Sequence, residues 1–164
     1  SQYESQAIEW NVDVDAYLPK DYIQDERQKI NMYKAIQQID SEEAYRSIQD
    51  QLIDRFGEFP DQVADLLDIA LIKYYGLKSG IEEIKQDRQR IVVTYNERAS
   101  MKLKGPNIFQ ALQEVPLKAE VTVNGGKLVI RLLVQGKVSY QWLPALKALA
   151  KESMSVVNQG EEQE

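Results

Sequence analysis

Apolar residues change their spacing midway along this chain, and that change limits what it can fold into. From Asp25 to about residue 80 they recur every three or four positions, the period of helices with one buried face. From residue 81 onward they fall into short alternating runs broken by turn residues, the period of strands. The two halves together predict an α+β fold. A helical N-terminal half packs with a small sheet built from two β-hairpins, each followed by a helix. The 164 residues suit a single domain with a core large enough to need no staples.

Residues 8–14, IEWNVDV, alternate strictly and predict a first strand, ended near Pro19. This strand either joins the sheet or lies apart. A helix is predicted from Asp25 to about Gln38, with Gln28 placed as a capping box requires. Ile30, Met32, Tyr33, Ala35, Ile36 and Ile39 cover well over half its circumference, so it is expected near the centre of the domain. Ser41 is an N-cap for the next helix, Glu42 and Glu43 suit its positive end, and Gly57 closes it. Tyr45, Ile48, Leu52 and Phe56 form its core stripe. A third helix starts near Pro60, carries Val63, Leu66, Leu67, Ala70 and Tyr74 inward, and closes at Gly80. Residues 81–85 and 90–95 flank a polar turn, and 106–114 form a short helix followed by Pro116. Residues 118–124 and 127–133 flank Asn-Gly-Gly, a hairpin signal. A last helix over 139–152 must start late or kink at Pro144. Residues 1–152 are thus expected as one domain, with a helical half 1–80 and a strand-rich half 81–152. Residues 153–164 are expected to be an acidic, disordered tail. A chain that opens on Ser is read as a piece of a longer protein.

There is no Cys and no His. Disulfides, thiolate nucleophiles, Ser-His and Cys-His pairs, imidazole bases and the usual zinc sites are therefore excluded. Carboxylate-only metal sites and Lys- or Tyr-based chemistry survive. No Walker-type loop or dinucleotide fingerprint is present. Gly105-Pro106-Asn107 has phosphate-loop composition without the lysine, and reads as a loop into a helix. Asp13 with Asp15, and Asp61 with Asp65 and Asp68, sit on outward faces. Catalytic carboxylates need a shielded pocket to shift their pKa, so these read as solvated surface. No catalytic residue, metal or cofactor is expected. The longest apolar run is too short to span a membrane.

Charge is divided unevenly. Residues 1–75 hold 16 acidic and 7 basic side chains, whereas residues 76–164 hold 10 and 13. An acidic helical half suits a basic protein partner. Within it, Glu43, Ser47, Asp50 and Asp54 lie opposite the core stripe of the second helix, with Gln51 one turn before Asp54. This ridge suits a partner that presents arginines, because guanidinium groups take carboxylates in two-pronged contacts. A plain exposed helix face gives the same pattern. In the second half, Arg88, Arg90, Arg98, Lys102 and Lys104 surround Tyr95. That mixture fits either a nucleic-acid groove or the charged edge of a hairpin.

The stretches DAYLPKDYIQDERQKINMYKAI, Ser41-Glu42-Glu43, LIDRFGEFP and VADLLDIALIK occur here in one order and spacing. Over the roughly 60 residues from Asp15 to Lys73 the chain resembles the C-terminal domain of the bacterial transcription-repair coupling factors (the Mfd family). The resemblance implies a domain without catalytic activity, cytoplasmic, in a protein whose ATP-driven DNA translocase lies elsewhere. It implies docking on a UvrB-like module of the same protein, which masks the surface UvrA would bind. Release follows when the motor, through other domains, engages stalled RNA polymerase and DNA. The family's contact uses acids on the helix that ends in DRFG, which maps onto Asp54. The position three before it is commonly Glu in the family and is Gln51 here, which hydrogen-bonds but carries no charge. Asp50, Ser47 and Glu43 would complete the contact.

Overall fold

A computed structural model describes residues 7–115 and 117–162, with side chains as far as Gln159. Its elements are β1 (Glu9–Asn11), α1 (Glu26–Gln37), α2 (Glu42–Phe56), α3 (Asp61–Ser79), β2 (Ile81–Asp87), β3 (Arg90–Tyr95), α4 (Glu97–Lys102), α5 (Gly105–Ala111), β4 (Ala119–Asn124), β5 (Lys127–Leu133) and α6 (Ser139–Glu162). Six helices and a five-stranded mixed sheet make the fold α+β. The chain divides into two compact units. One comprises residues 14–74. The other comprises residues up to Asp13 together with Tyr75–Glu164. The division between the units falls inside α3, and the first strand belongs with the sheet.

In the unit of residues 14–74, Asp25 caps α1 by accepting from the Gln28 amide at 2.9 Å. Ser41 caps α2 by accepting from the Ala44 amide at 3.0 Å. Both caps satisfy amides that would otherwise lack a partner. Helix α1 is less enclosed than its apolar count suggested. Within it only Met32 and Ile36 are buried, while Ile30 stands 51% exposed. The apolar residues there outnumber the positions that face the core. Asp65 and Asp68 correct a second expectation. Asp65 is buried, and Asp68 is half-buried and accepts from the Tyr45 hydroxyl at 2.6 Å. Helix α3 is packed on more sides than its stripe implied, so its acids are drawn into polar pairing.

In the second unit the strand order is β1-β2-β3-β5-β4. The pair β1–β2 is parallel and the others are antiparallel. The first strand does join the sheet, but over only three of the seven residues whose alternation predicted it. Ile84, Ile91, Val93, Ile130 and Leu132 are fully buried on one face. Gly80 turns the chain from α3 into β2 at a φ of +83°, with the Asn96 side chain 2.9 Å from where a Cβ would sit. Only glycine fits both demands. Gly125 and Gly126 also take positive φ, as a two-residue hairpin turn requires.

Helix α4 was absent from the sequence expectation. Its six residues, ERASMK, carry no apolar period, yet Asn96 caps it by accepting from the Ala99 amide at 2.8 Å. The short helix expected at 106–114 is α5, which ends at Ala111. Helix α6 starts at Ser139, contains Pro144 and runs past residue 152 to Glu162. The stretch 153–162 is therefore helix rather than a disordered tail; residues 163 and 164 lie outside the described residues. The cause is continued burial along one stripe. Leu146, Leu149, Ala150, Ser153 and Val157 are all buried. The Ser153 hydroxyl meets the fully buried Tyr95 hydroxyl at 2.7 Å, and Lys102 Nζ donates to the Val157 carbonyl at 3.1 Å.

Candidate docking surface on helix α2

Helix α2 is built to show one face and bury the other. Leu52 and Ile48 are buried, and Tyr45 and Phe56 are half-buried on the same stripe. Glu43, Ser47, Asp50, Gln51 and Asp54 are all exposed. Offsets of four, seven and eleven residues from Glu43 bring Ser47, Asp50 and Asp54 onto one line along the helix. Gln51 joins that line through its side-chain amide, which donates to Ser47 Oγ at 3.2 Å. Glu42 lies beside the ridge and pairs with Arg46 at 3.8 Å, one turn on.

The end of the helix that carries Asp54 is held firmly. Tyr22 donates its hydroxyl to the Gly57 carbonyl at 2.8 Å and approaches the Leu52 carbonyl at 3.2 Å. Its ring lies 5.9 Å from the Phe56 ring, tilted by 59°. Arg55 lies over the Phe56 ring at 5.0 Å, and one guanidinium nitrogen approaches Met32 Sδ at 3.7 Å. Half-burial pushes the Tyr22 hydroxyl's pKa up, which keeps it a donor. Sequence reasoning missed Tyr22 and Arg55. The signal available was the aromatic–arginine grouping near DRFG, but only the fold brings residue 22 to residue 57.

Asp54 sits in the last turn, where the helix dipole presents its negative end. An acid there is unfavourable by roughly 0.3–1 kcal/mol, offset in part by neighbouring Arg55. Stability alone does not favour an aspartate at this place. Ile53, 46% exposed, is a second residue that the core stripe did not account for.

The basic residues of the other candidate region are spread over several elements. Arg88 lies in the β2–β3 turn, and Arg90 pairs with Glu120 at 3.5 Å. Arg98 and Lys102 are on α4, and Lys104 precedes α5. Tyr95 is fully buried, so it offers no stacking platform to a base.

Comparison with known proteins fixes the class. The family model described as the TRCF domain matches residues 12–105. The transcription-repair-coupling factor of Bacillus subtilis (strain 168) is 34% identical over 151 residues, covering 92% of this chain and 13% of that protein. That of Staphylococcus aureus (strain USA300) is 37% identical over 152 residues, covering 91% of this chain and 13% of that protein. A solved structure described as the crystal structure of the C-terminal domain of transcription-repair coupling factor superposes with a TM-score of 0.84 at 33% identity. It covers 98% of this chain and 99% of that one. The chain belongs to the TRCF domain family, the C-terminal domain of transcription-repair coupling factors. It spans about an eighth of the length of the relatives it matches.

Proposed function

We propose that this domain is a non-catalytic latch. It docks through the α2 ridge on a UvrB-like module of its parent protein and masks the surface that UvrA would take. The latch opens when the motor, elsewhere in the parent, engages stalled RNA polymerase and DNA. The observation that carries this reading is Asp54, outward-facing at a helix end where the dipole disfavours an acid. In water such a carboxylate gains little from pairing, about 0–1 kcal/mol. Covered by a partner and met by an arginine, it becomes a desolvated, charge-assisted pair, and truncating one side of such a pair costs about 2–5 kcal/mol. Gln51, held by Ser47, and Asp50 extend the polar contact, with Glu43 at its far end. The modules belong to one chain, so effective concentration keeps a modest interface shut. Opening then draws on the differential affinity of polymerase, DNA and UvrA for the open form.

The test is Asp54→Ala in the full-length parent. At the lower bound of about 2 kcal/mol, the open population rises roughly thirty-fold. UvrA binding, measured by titration, should strengthen accordingly while this domain's thermal midpoint is unchanged or slightly raised. Unchanged UvrA affinity in a folded variant counts against the latch.

A further inference from the structure

We propose that the open edge of β4 pairs with β4 of a second copy of this chain, antiparallel and centred on Val121. This surface is independent of the α2 ridge. Strand β4 ends the sheet, and among the described residues only β5 pairs with it. The Leu133 amide donates to the Lys118 carbonyl at 2.9 Å, one step beyond the Ala119–Leu132 pair. Bonded and non-bonded pairs alternate along an antiparallel ladder. Lys118, Glu120, Thr122 and Asn124 therefore direct their backbone groups toward β5. Ala119, Val121 and Val123 direct theirs outward, away from the sheet.

Natural edges are guarded by shortness, proline, charged side chains, a bulge or an inward charge; the one charge within β4, Glu120, lies on the outer face and is paired with Arg90. The opposite edge, β1, has only three residues. Strand β4 has six, contains no proline and keeps a regular register with β5. Its side chains on the buried face of the sheet, beside Leu128, Ile130 and Leu132, are Val123, Val121 and Ala119. None is charged. Val121 is 40% exposed and Val123 69%.

A two-fold pairing centred on Val121 is self-complementary. Val121 meets its own counterpart, Ala119 meets Val123, and Glu120 meets Thr122. No like charges fall directly opposite one another, and Glu120 is already paired with Arg90. The outward N–H and C=O groups of Ala119, Val121 and Val123 are satisfied reciprocally. An edge of six residues is small against the roughly 800 Å² per partner of a standard interface, so the pair is weak and concentration-dependent.

Sedimentation equilibrium of the 164-residue chain tests this. The weight-average mass should rise from that of one chain toward twice it as loading approaches about 1 mM, as a millimolar-to-micromolar association requires. Val121→Lys and Val121→Glu should each stay monomeric with unchanged circular dichroism, because the side chain is already partly solvated. Mixed in equal amounts they should associate again, since Lys then faces Glu. A wild-type chain that stays monomeric overturns the proposal, whether or not a synthetic extended peptide binds the edge. So does self-association that survives Val121→Lys and Val123→Lys together.

Discussion

Arg88 occupies a backbone conformation that few side chains favour. Its φ is +59° in the two-residue turn between β2 and β3. A left-handed conformation costs a non-glycine residue about 1–2 kcal/mol, and glycine forfeits about 0.5–1 kcal/mol of that gain through chain entropy. Arg88→Gly should therefore stabilise the protein by roughly 0.5–1 kcal/mol, read as a higher urea midpoint with an unchanged slope. The residue was visible in the sequence only as one of five local cations. Its strain was not, because the polar turn QDRQ lacks the glycine or asparagine that normally announces a positive φ. Asn-Gly-Gly before Lys127 did announce one, and both glycines take it.

Elements with strong local punctuation were legible. Asp25 with Gln28, Ser41 with the following glutamates, and Gly57 mark the ends of α1 and α2 to within a residue. The last helix was under-read, because the stripe past Glu152 resumes with a polar residue, Ser153, before it reaches Val157. Only the pairing with Tyr95 shows why a serine belongs there. The ridge on α2 was legible as a face, since helical spacing alone sets it. What holds that face was not, because Tyr22 is 35 residues from Gly57 in sequence. Tyr22→Phe removes the hydroxyl that bonds Gly57 and should cost about 1 kcal/mol, the typical net value of one hydrogen bond. Hydrogen exchange should place the loss locally. The Gly57 amide, bonded to the Ile53 carbonyl at 2.9 Å, is expected to exchange faster while the amides of β3 keep their protection.

Over the whole molecule, the sequence lacks any group that normally titrates between about pH 5 and 8, apart from the chain terminus. Burial raises the pKa of the Tyr95 hydroxyl, a shift that its hydrogen bond to Ser153 opposes. Burial and then the neighbouring Asp68 raise that of Tyr45. The fold thus holds both phenols neutral, while in the unfolded chain they ionise near 10. Their contribution is complete below about pH 10 and declines as pH rises from there toward the folded-state values. Tyr95→Phe should be less stable at pH 7 by about 1 kcal/mol, through the lost Ser153 bond. The gap to wild type should narrow in denaturant melts above about pH 10, where only the wild type must keep that phenol protonated. The unit boundary within α3 escaped the sequence because hydrophobic period reports an element's existence, not which neighbours claim it. The location of Asp54 has a thermodynamic corollary for the parent protein. A cation that neutralises it also relieves the repulsion at the tail of α2 and tightens the final coil. Reciprocity then requires that any perturbation unwinding that coil lowers the affinity for the cation, so amide protection at residues 54–57 would rise when a cation occupies Asp54 and fall when it leaves.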